Sequence, residues 1–269
     1  MRAPPVVLSV AGFDPSSGAG VSADIKTIAA HGCYGIACIT ALTVQSTRGV
    51  QQVCPVSPAL VSATLQEVTC DLPPAAVHIG MLGEGKTALA VAGYLERNRP
   101  PHVVLDPVLR SSSGADLLDD AGLTLLRTRL LACADVVTPN LNEAAVLAGM
   151  DVATGEEMKV AANRLHELGA KAVVVTGGHL GGAEVAELLS FRHQGKLRQQ
   201  EIRGPRIQTR ATHGTGCAFA TALACNLALG KPLPEATVAA KHYVAAAMQH
   251  AYPLGSGPGP LHHLFKLDV

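Results

Sequence analysis

The chain has 269 residues, 48% of them hydrophobic and 27 of them glycine, enough for one large α/β domain with a sizeable core. Its 21 basic and 21 acidic residues balance and form no basic block, so the composition excludes a nucleic-acid or anionic-membrane partner as an expectation. The seven cysteines are odd in number and show neither C-x-x-C nor paired metal-ligand spacing, which fits a reduced, cytoplasmic protein.

Met1-Arg2-Ala3-Pro4-Pro5 leads into a short apolar run, with no long signal-peptide core, and no apolar run nears the ~20 residues of a membrane span. Val6 to Val10 is β-branched and apolar, as a buried first strand should be. A glycine-rich loop over 12–20 follows, and Val21, Ile25 and Ile28 then recur at helical spacing up to Ala30. Gly18-Ala19-Gly20-Val21-Ser22-Ala23 fits a dinucleotide fingerprint formally. Its glycines come too late after the strand, and no acidic residue ends a second strand ~20 positions on. Tyr34 to Thr43 reads as a second strand with Gln45-Ser46-Thr47-Arg48 just past its end, where open α/β sheets meet ligands.

Further strands are predicted at Ala76 to Ile79, Val103 to Leu105, Val136 to Thr138 and Ala172 to Thr176. Helices are predicted between them, at Pro58 to Cys70, Thr87 to Asn98, Leu117 to Leu130, Asn142 to Ala148 and Glu156 to Leu168. This alternation argues a parallel sheet covered on both faces. Glu184 to Arg192 and Leu197 to Ile202, around His193-Gln194-Gly195-Lys196, read as an antiparallel edge hairpin, and a last helix is expected over Pro234 to His250. No repeat, linker or second domain is visible, so residues 1–269 read as a single domain.

Thr212-His213-Gly214-Thr215-Gly216-Cys217 precedes a small-residue run that reads as a helix from Cys217 to Leu229, stopped by Gly230 and Pro232. Glycines at a helix N-terminus expose unpaired N–H groups that suit phosphate oxygens. In that field the Cys217 thiolate is expected to be favoured, ready to take a proton from a substrate hydroxyl; the plain alternative is a small core residue.

Gly80-Met81-Leu82-Gly83-Glu84-Gly85-Lys86-Thr87 matches a P-loop literally, with Asp106 after an apolar run as a possible magnesium partner. Asn140 and Glu143, three residues apart at a helix start, suit a hydrated Mg²⁺ or else a plain capping box. Thr176-Gly177-Gly178-His179 ends another strand with glycines. Several sheet-end loops thus point to one crevice.

Taken together, Ala11-Gly12-Phe13-Asp14-Pro15, Gly18-Ala19-Gly20, Ala23-Asp24-Ile25-Lys26-Thr27, Thr40 to Gln45, Ile79-Gly80-Met81-Leu82, Asp106-Pro107-Val108, Thr138-Pro139-Asn140 with Glu143, Gly177-Gly178-His179, Thr212 to Cys217 and Gly257-Pro258 cover nearly the full length in order. In these stretches the chain resembles the hydroxymethylpyrimidine/phosphomethylpyrimidine kinases of thiamine biosynthesis, in the ribokinase-like superfamily. The resemblance implies a ribokinase-like three-layer α/β/α sandwich, with a mostly parallel central sheet and an antiparallel edge hairpin. It implies an ATP- and Mg²⁺-dependent kinase acting on a small aminopyrimidine, as a cytoplasmic homodimer. Carried over, it puts Gln45, Gly12, Asp24 and Met81 around the ring, and Thr176, Gly177 and His213 on the nucleotide side. Asp106, Asn140 and Glu143 serve Mg²⁺ and the phosphates, and Cys217, with Gly214 and Gly216, is placed at the transfer step. It also turns Gly80-Met81-Leu82 into a pocket turn and Lys86 into a surface residue. Two departures stand out. His78 takes the place of a usual lysine, and Leu109-Arg110-Ser111-Ser112-Ser113-Gly114 lacks another. Pyridoxal kinases of the same branch, and a non-catalytic pyrimidine binder, are the alternatives.

Overall fold

The computed structural model describes residues 3–111, 113–178 and 181–267. Ser112 and His179 lie outside the described residues. In chain order the elements are β1 (Val6–Phe13), α1 (Gly20–Ala30), β2 (Tyr34–Ser46), β3 (Gly49–Pro55), α2 (Pro58–Asp71), β4 (Ala76–Ile79), α3 (Gly85–Asn98) and β5 (Val103–Leu105). There follow α4 (Asp120–Leu125), a π-helical turn (Leu126–Leu130) with α5 (Leu131–Cys133), β6 (Val136–Val137), α6 (Leu141–Ala148), α7 (Gly155–Glu167) and β7 (Ala172–Val175). The chain continues through β8 (Glu184–His193), β9 (Lys196–Pro205), α8 (Thr215–Ala228) and α9 (Leu233–Gln249).

One sheet carries all the strands in the order β3-β2-β1-β4-β5-β6-β7-β8-β9. The pairs from β2 through β1 to β7 are parallel, and β2–β3, β7–β8 and β8–β9 are antiparallel. The sheet is therefore mostly parallel, as expected, but hairpins close both edges. The β2–β3 hairpin corrects the sequence reading: β2 runs on through Gln45, which pairs with Val50 inside the hairpin instead of lying past a strand end.

Strand residues alternate between two cores, because successive side chains point to opposite faces. Leu8, Val10, Val77, Ile79, Val103 and Leu105 join one core with Val91, Leu130, Leu147 and Leu165 from α3, the π-helical turn, α6 and α7. Val7, Ala76, Val104 and Val174 join the other with Ile28, Leu223 and Tyr243 from α1, α8 and α9. Helices thus cover both faces, which makes three layers. Parallel strands buried on both sides need continuous apolar runs, which is why β4, β5 and β7 were visible in sequence. In α8 every residue from Ala218 to Leu227 is buried, and its alanines let it lie close to the sheet between α1 and α9. Fully burying a leucine such as Leu223 contributes about 1.5–3 kcal/mol. Among the described residues no helix is long and apolar enough to cross a membrane.

Candidate active site

The carboxyl ends of β1, β4, β5, β6 and β7 lie side by side. From them emerge Gly12 to Ala19, Gly80 to Glu84, Asp106, Asn140, and Thr176 with Gly177. Asn140 and Thr176 form an isolated parallel bridge, so the last two loops are joined. β1 is also where the strand order reverses, since β2 lies on one side of it and β4 on the other. Open α/β sheets bind ligands at such a switch point.

Two glycine-rich loops, 12–20 and 212–217, pack together over this edge. A Cβ on Gly214 would lie 1.9 Å from the Gly18 carbonyl oxygen, and one on Gly20 would lie 2.2 Å from that of Gly12. Both have positive φ, so glycine is required there on two counts. The first loop is organised by Asp14, whose carboxylate accepts from Ser16 N–H (2.8 Å), Ser16 Oγ (2.7 Å), Gly18 N–H (3.2 Å), Ala19 N–H (2.9 Å) and His213 Nε2 (2.8 Å). Burial pushes Asp14 up, but the hydrogen bonds from His213 and Ser16 outweigh it and hold the carboxyl below its usual range. The sequence reading gave Asp14 no role. Its signal was present, since an aspartate before Pro15-Ser16-Ser17 caps its own turn through the side chain.

α8 begins at Gly214 with no side chain capping it, which leaves the first-turn N–H groups facing the crevice. Cys217 lies in that turn and is partly exposed; its sulfur accepts from Gly20 N–H and hydrogen-bonds Asp106. The expectation of a favoured thiolate is corrected here. Burial, then Asp106, Asp24 and Glu143, push the Cys217 thiol well above its ordinary value, and the Gly20 hydrogen bond only offsets part of this. The helix terminus is outweighed by burial and the three acids together.

Those acids repel one another too. Burial raises Asp106 to about 6, helped by Asp24 and opposed by His78. Burial and Asp106 raise Glu143 to about 8. Asn140 and Glu143 form a reciprocal capping box on α6, with Asn140 N–H donating to Glu143 Oε2 and Glu143 N–H to Asn140 Oδ1, each at 2.9 Å. One oxygen of each side chain is thereby occupied by backbone. Among the described residues no group of three or more His, Cys, Asp and Glu forms a cage for a metal ion. What remains is an oxygen donor set whose crowded carboxyls are pushed toward their neutral forms and would regain charge beside a cation. That fits a cation which keeps most of its own waters and shares phosphates, as Mg²⁺ does.

Of the residues expected around the ring, Gly12 and Met81 touch: a Cβ on Gly12 would lie 2.7 Å from Met81 Sδ. Asp24 does not line the crevice with its carboxylate. It is fully buried and accepts from Ser9 Oγ (2.6 Å), Thr221 Oγ1 (2.8 Å) and His78 Nδ1 (3.2 Å) between the sheet, α1 and α8. Burial opposes a charge on His78, but Asp24 and Asp106 hold its pKa above the ordinary value. His78 thus sets an imidazole beneath the acids, its charged form favoured by them and opposed by burial, where the sequence showed only a missing lysine.

Gln45 Nε2 lies 3.3 Å from His213 Nε2. The His213 imidazole therefore lies between Asp14 and Gln45. Thr176 N–H donates to the Pro139 carbonyl at 2.9 Å, and Gly177 is buried beside it.

The P-loop match fails on physical grounds. The N-terminus of α3 is filled by Asp119, whose carboxylate accepts from Gly85 N–H at 2.9 Å and Gly122 N–H at 2.7 Å. Lys86 is exposed and Thr87 fully buried, so neither phosphate nor magnesium finds its partners there.

The model of the phosphomethylpyrimidine kinase family matches residues 14–262. The chain belongs to that family. The hydroxymethylpyrimidine/phosphomethylpyrimidine kinase of Rhizobium meliloti is 44% identical over 264 residues, covering 97% of both chains. The thiamine biosynthesis bifunctional protein ThiED of Geobacter sulfurreducens is 44% identical over 262 residues, which are 97% of this chain; the chain spans about half of that relative's length, 53%. Among solved structures, the pyridoxal kinase of Staphylococcus aureus in complex with AMP-PCP and pyridoxal superimposes with a TM-score of 0.89 at 30% identity. That match covers 100% of this chain and 96% of the other.

Proposed function

We propose that this family member is an ATP- and Mg²⁺-dependent kinase, active as one domain over residues 1–269. It phosphorylates the hydroxymethyl oxygen of 4-amino-5-hydroxymethyl-2-methylpyrimidine and then converts the monophosphate to the diphosphate in thiamine biosynthesis. One observation carries the reading: a single loop, 212–217, brings His213 to Gln45 and Cys217 to Asp106, so a ring reader and an acidic phosphoryl site adjoin the same crevice. We place the protein in the cytoplasm and expect it to pair as a homodimer.

On this reading the Gln45 amide, with a donor and an acceptor, meets the aminopyrimidine edge, and Gly12 and Met81 shape the space for the ring. The α8 first turn, with Gly214 and Gly216, holds phosphate oxygens, and Thr176 and Gly177 border the nucleotide. Asp106, with the Asn140–Glu143 pair behind it, would hold Mg²⁺, which supplies charge neutralisation for the transferred phosphoryl group. Cys217 lies where the acceptor hydroxyl arrives; as the bond to phosphorus forms, the thiol passes its own proton to the hydrogen-bonded Asp106 carboxylate and takes up the hydroxyl proton. Phosphoryl transfer is loose, so positioning outweighs base strength and a thiol suffices.

The test is direct. Purified protein, ATP·Mg²⁺ and the pyrimidine should release ADP and yield mono- and then diphosphate by phosphorus NMR; no ADP release would sink the assignment. The likeness to a pyridoxal kinase at a TM-score of 0.89 favours a second substrate to compare, pyridoxal, through the ratio of kcat/KM values. Tight pyrimidine binding by calorimetry with no turnover would instead indicate a binding protein.

A further inference from the structure

An amide recognises its ligand by orientation: turned end for end, it offers an acceptor where it had a donor. In the structure Gln45 Oε1 lies 3.2 Å from Thr43 Oγ1 and Nε2 lies 3.3 Å from His213 Nε2. His213 Nε2 also lies 2.8 Å from Asp14 Oδ2, and an imidazole nitrogen that close to a buried carboxylate carries the proton. Two donors therefore face each other across His213 and Gln45. Thr43 Oγ1 meanwhile places its single hydrogen on the Phe13 carbonyl at 2.9 Å, so towards Gln45 it can only accept. Exchanging the amide oxygen and nitrogen resolves both conflicts at once. Oε1 then shares the single His213 Nε2–H with Asp14 Oδ2 as the longer arm of a bifurcated bond, and Nε2–H donates to Thr43 Oγ1. One N–H and one lone pair of the amide remain for a ligand.

The imidazole that imposes this choice is itself fixed. A Cβ on Gly18 would lie 2.2 Å from His213 Cδ2, and the His213 backbone N–H donates to the Gly259 carbonyl at 3.1 Å. Asp14 is held by its own loop, as described above. The chain Asp14–His213–Gln45–Thr43 joins residues up to 199 positions apart in one line of hydrogen bonds.

We propose that His213, oriented by Asp14, is a specificity-positioning residue that sets the direction of the Gln45 amide, and so selects a heteroaromatic ring whose amino donor adjoins a ring-nitrogen acceptor over the isosteric oxo ring with the reversed edge. This deepens the kinase reading and rests on it. An oxo ring would place its oxygen against the amide oxygen and its ring N–H against the amide N–H, leaving both pairs unmatched.

The experiment compares kcat/KM for 4-amino-5-hydroxymethyl-2-methylpyrimidine and its 4-oxo analogue in the native protein, His213→Phe and His213→Gln. The native protein should prefer the amino ring by about 10²-fold or more, since unmatched buried polar groups reject a ligand strongly. His213→Phe should cut that preference by about tenfold or more, mainly through a raised KM for the amino ring, and His213→Gln, which keeps a donor, should recover most of it. An unchanged preference in His213→Phe, or a fall in kcat with the preference intact, overturns the proposal. A second readout needs no turnover: the Gln45 side-chain amide proton and nitrogen resonances in ligand-free protein, identified by their loss in Gln45→Met. They should move to free-amide positions in His213→Phe, and resonances that do not move overturn the clamp. If the native protein phosphorylates neither ring, the kinase reading fails, and the resonances still decide whether His213 fixes Gln45.

Discussion

The contact between the two glycine-rich loops is the tightest constraint on the site, and Gly214→Ala tests it against a built-in control. Gly214 and Gly230 have nearly the same φ, +81° and +85°. A Cβ at Gly230 meets nothing within 4 Å, whereas one at Gly214 meets the Gly18 carbonyl oxygen at 1.9 Å and the Ala19 Cα at 3.3 Å. The left-handed conformation costs an L-residue about 1–2 kcal/mol, partly offset by about 0.4–1 kcal/mol from a stiffer unfolded chain. Gly230→Ala should therefore destabilise by roughly 1 kcal/mol or less. Gly214→Ala bears that same strain and must also part the loops by more than an ångström, an overpacking cost of about 1–3 kcal/mol. Its total is roughly 2–4 kcal/mol, which at about 2–4 °C per kcal/mol lowers Tm by roughly 5–15 °C. Because the displaced loop carries Cys217 and His213, kcat/KM should fall by about 10²-fold as well. The assay is thermal and urea unfolding of both variants beside the native protein, followed by steady-state kinetics. Equal destabilisation by the two alanines, with activity retained in Gly214→Ala, would refute the packing argument.

Cys217→Ala should lower kcat by about 10²-fold while exposed Lys86→Ala leaves it nearly unchanged, and steady-state kinetics giving the reverse order would restore the P-loop. Burial, with a smaller effect of Lys26, holds His263 down to about 4, its Nδ1 lying 3.0 Å from Thr27 Oγ1. The unfolded chain takes up the proton near pH 6.5 and the folded chain does not. Stability contributed by the neutral ring is thus full above about pH 6.5 and falls by up to ~1.4 kcal/mol per pH unit down to about 4. Tm measured from pH 7 to 4.5 should drop more steeply for the native protein than for His263→Phe; parallel curves would contradict this. Asp106→Asn should abolish the rise in Tm that Mg²⁺ with an ATP analogue produces in the native protein, as read by thermal shift.

What could be read in the sequence depended on whether a signal was local. The strands β4, β5 and β7 are continuous apolar runs because helices cover both their faces, and the Asn140–Glu143 capping box is a four-residue pattern. The strand β3 carried no such mark. Gly49-Val50-Gln51-Gln52-Val53-Cys54-Pro55 is partly or fully exposed along its whole length, so it is recognisable only by its pairing with β2. The place of Gln45 was misread for that reason. Asp14 and His213 are 199 residues apart, and nothing near either one announces the other. His78 looked like a lost lysine. In space it joins Asp24 and Thr221 under the site, which no spacing along the chain reveals.

The same distinction governs the chemistry of Cys217. Read locally, a cysteine in the first turn of a helix should be a ready thiolate, because the aligned peptide dipoles favour its charge. The folded chain buries the thiol and brings Asp106, Asp24 and Glu143 towards it, and burial together with these acids outweighs the half-charge of a helix end. The thiol therefore keeps its proton while the acids face it. A protonated thiol cannot strip the substrate hydroxyl in advance. On the kinase reading proposed above, its part is to hold the hydroxyl in line and to exchange protons late, passing its own to Asp106, its hydrogen-bonded neighbour. In a loose transition state the attacking oxygen stays protonated until the new bond to phosphorus is well advanced, so early deprotonation would gain little. On the same reading, the crowding of acids that adds to burial in suppressing the thiolate also favours a hydrated cation. A helix terminus free of side chains and a cluster of acids beside it are opposite fields in adjacent halves of one crevice, one suited to phosphate oxygens and the other to the cation they bring.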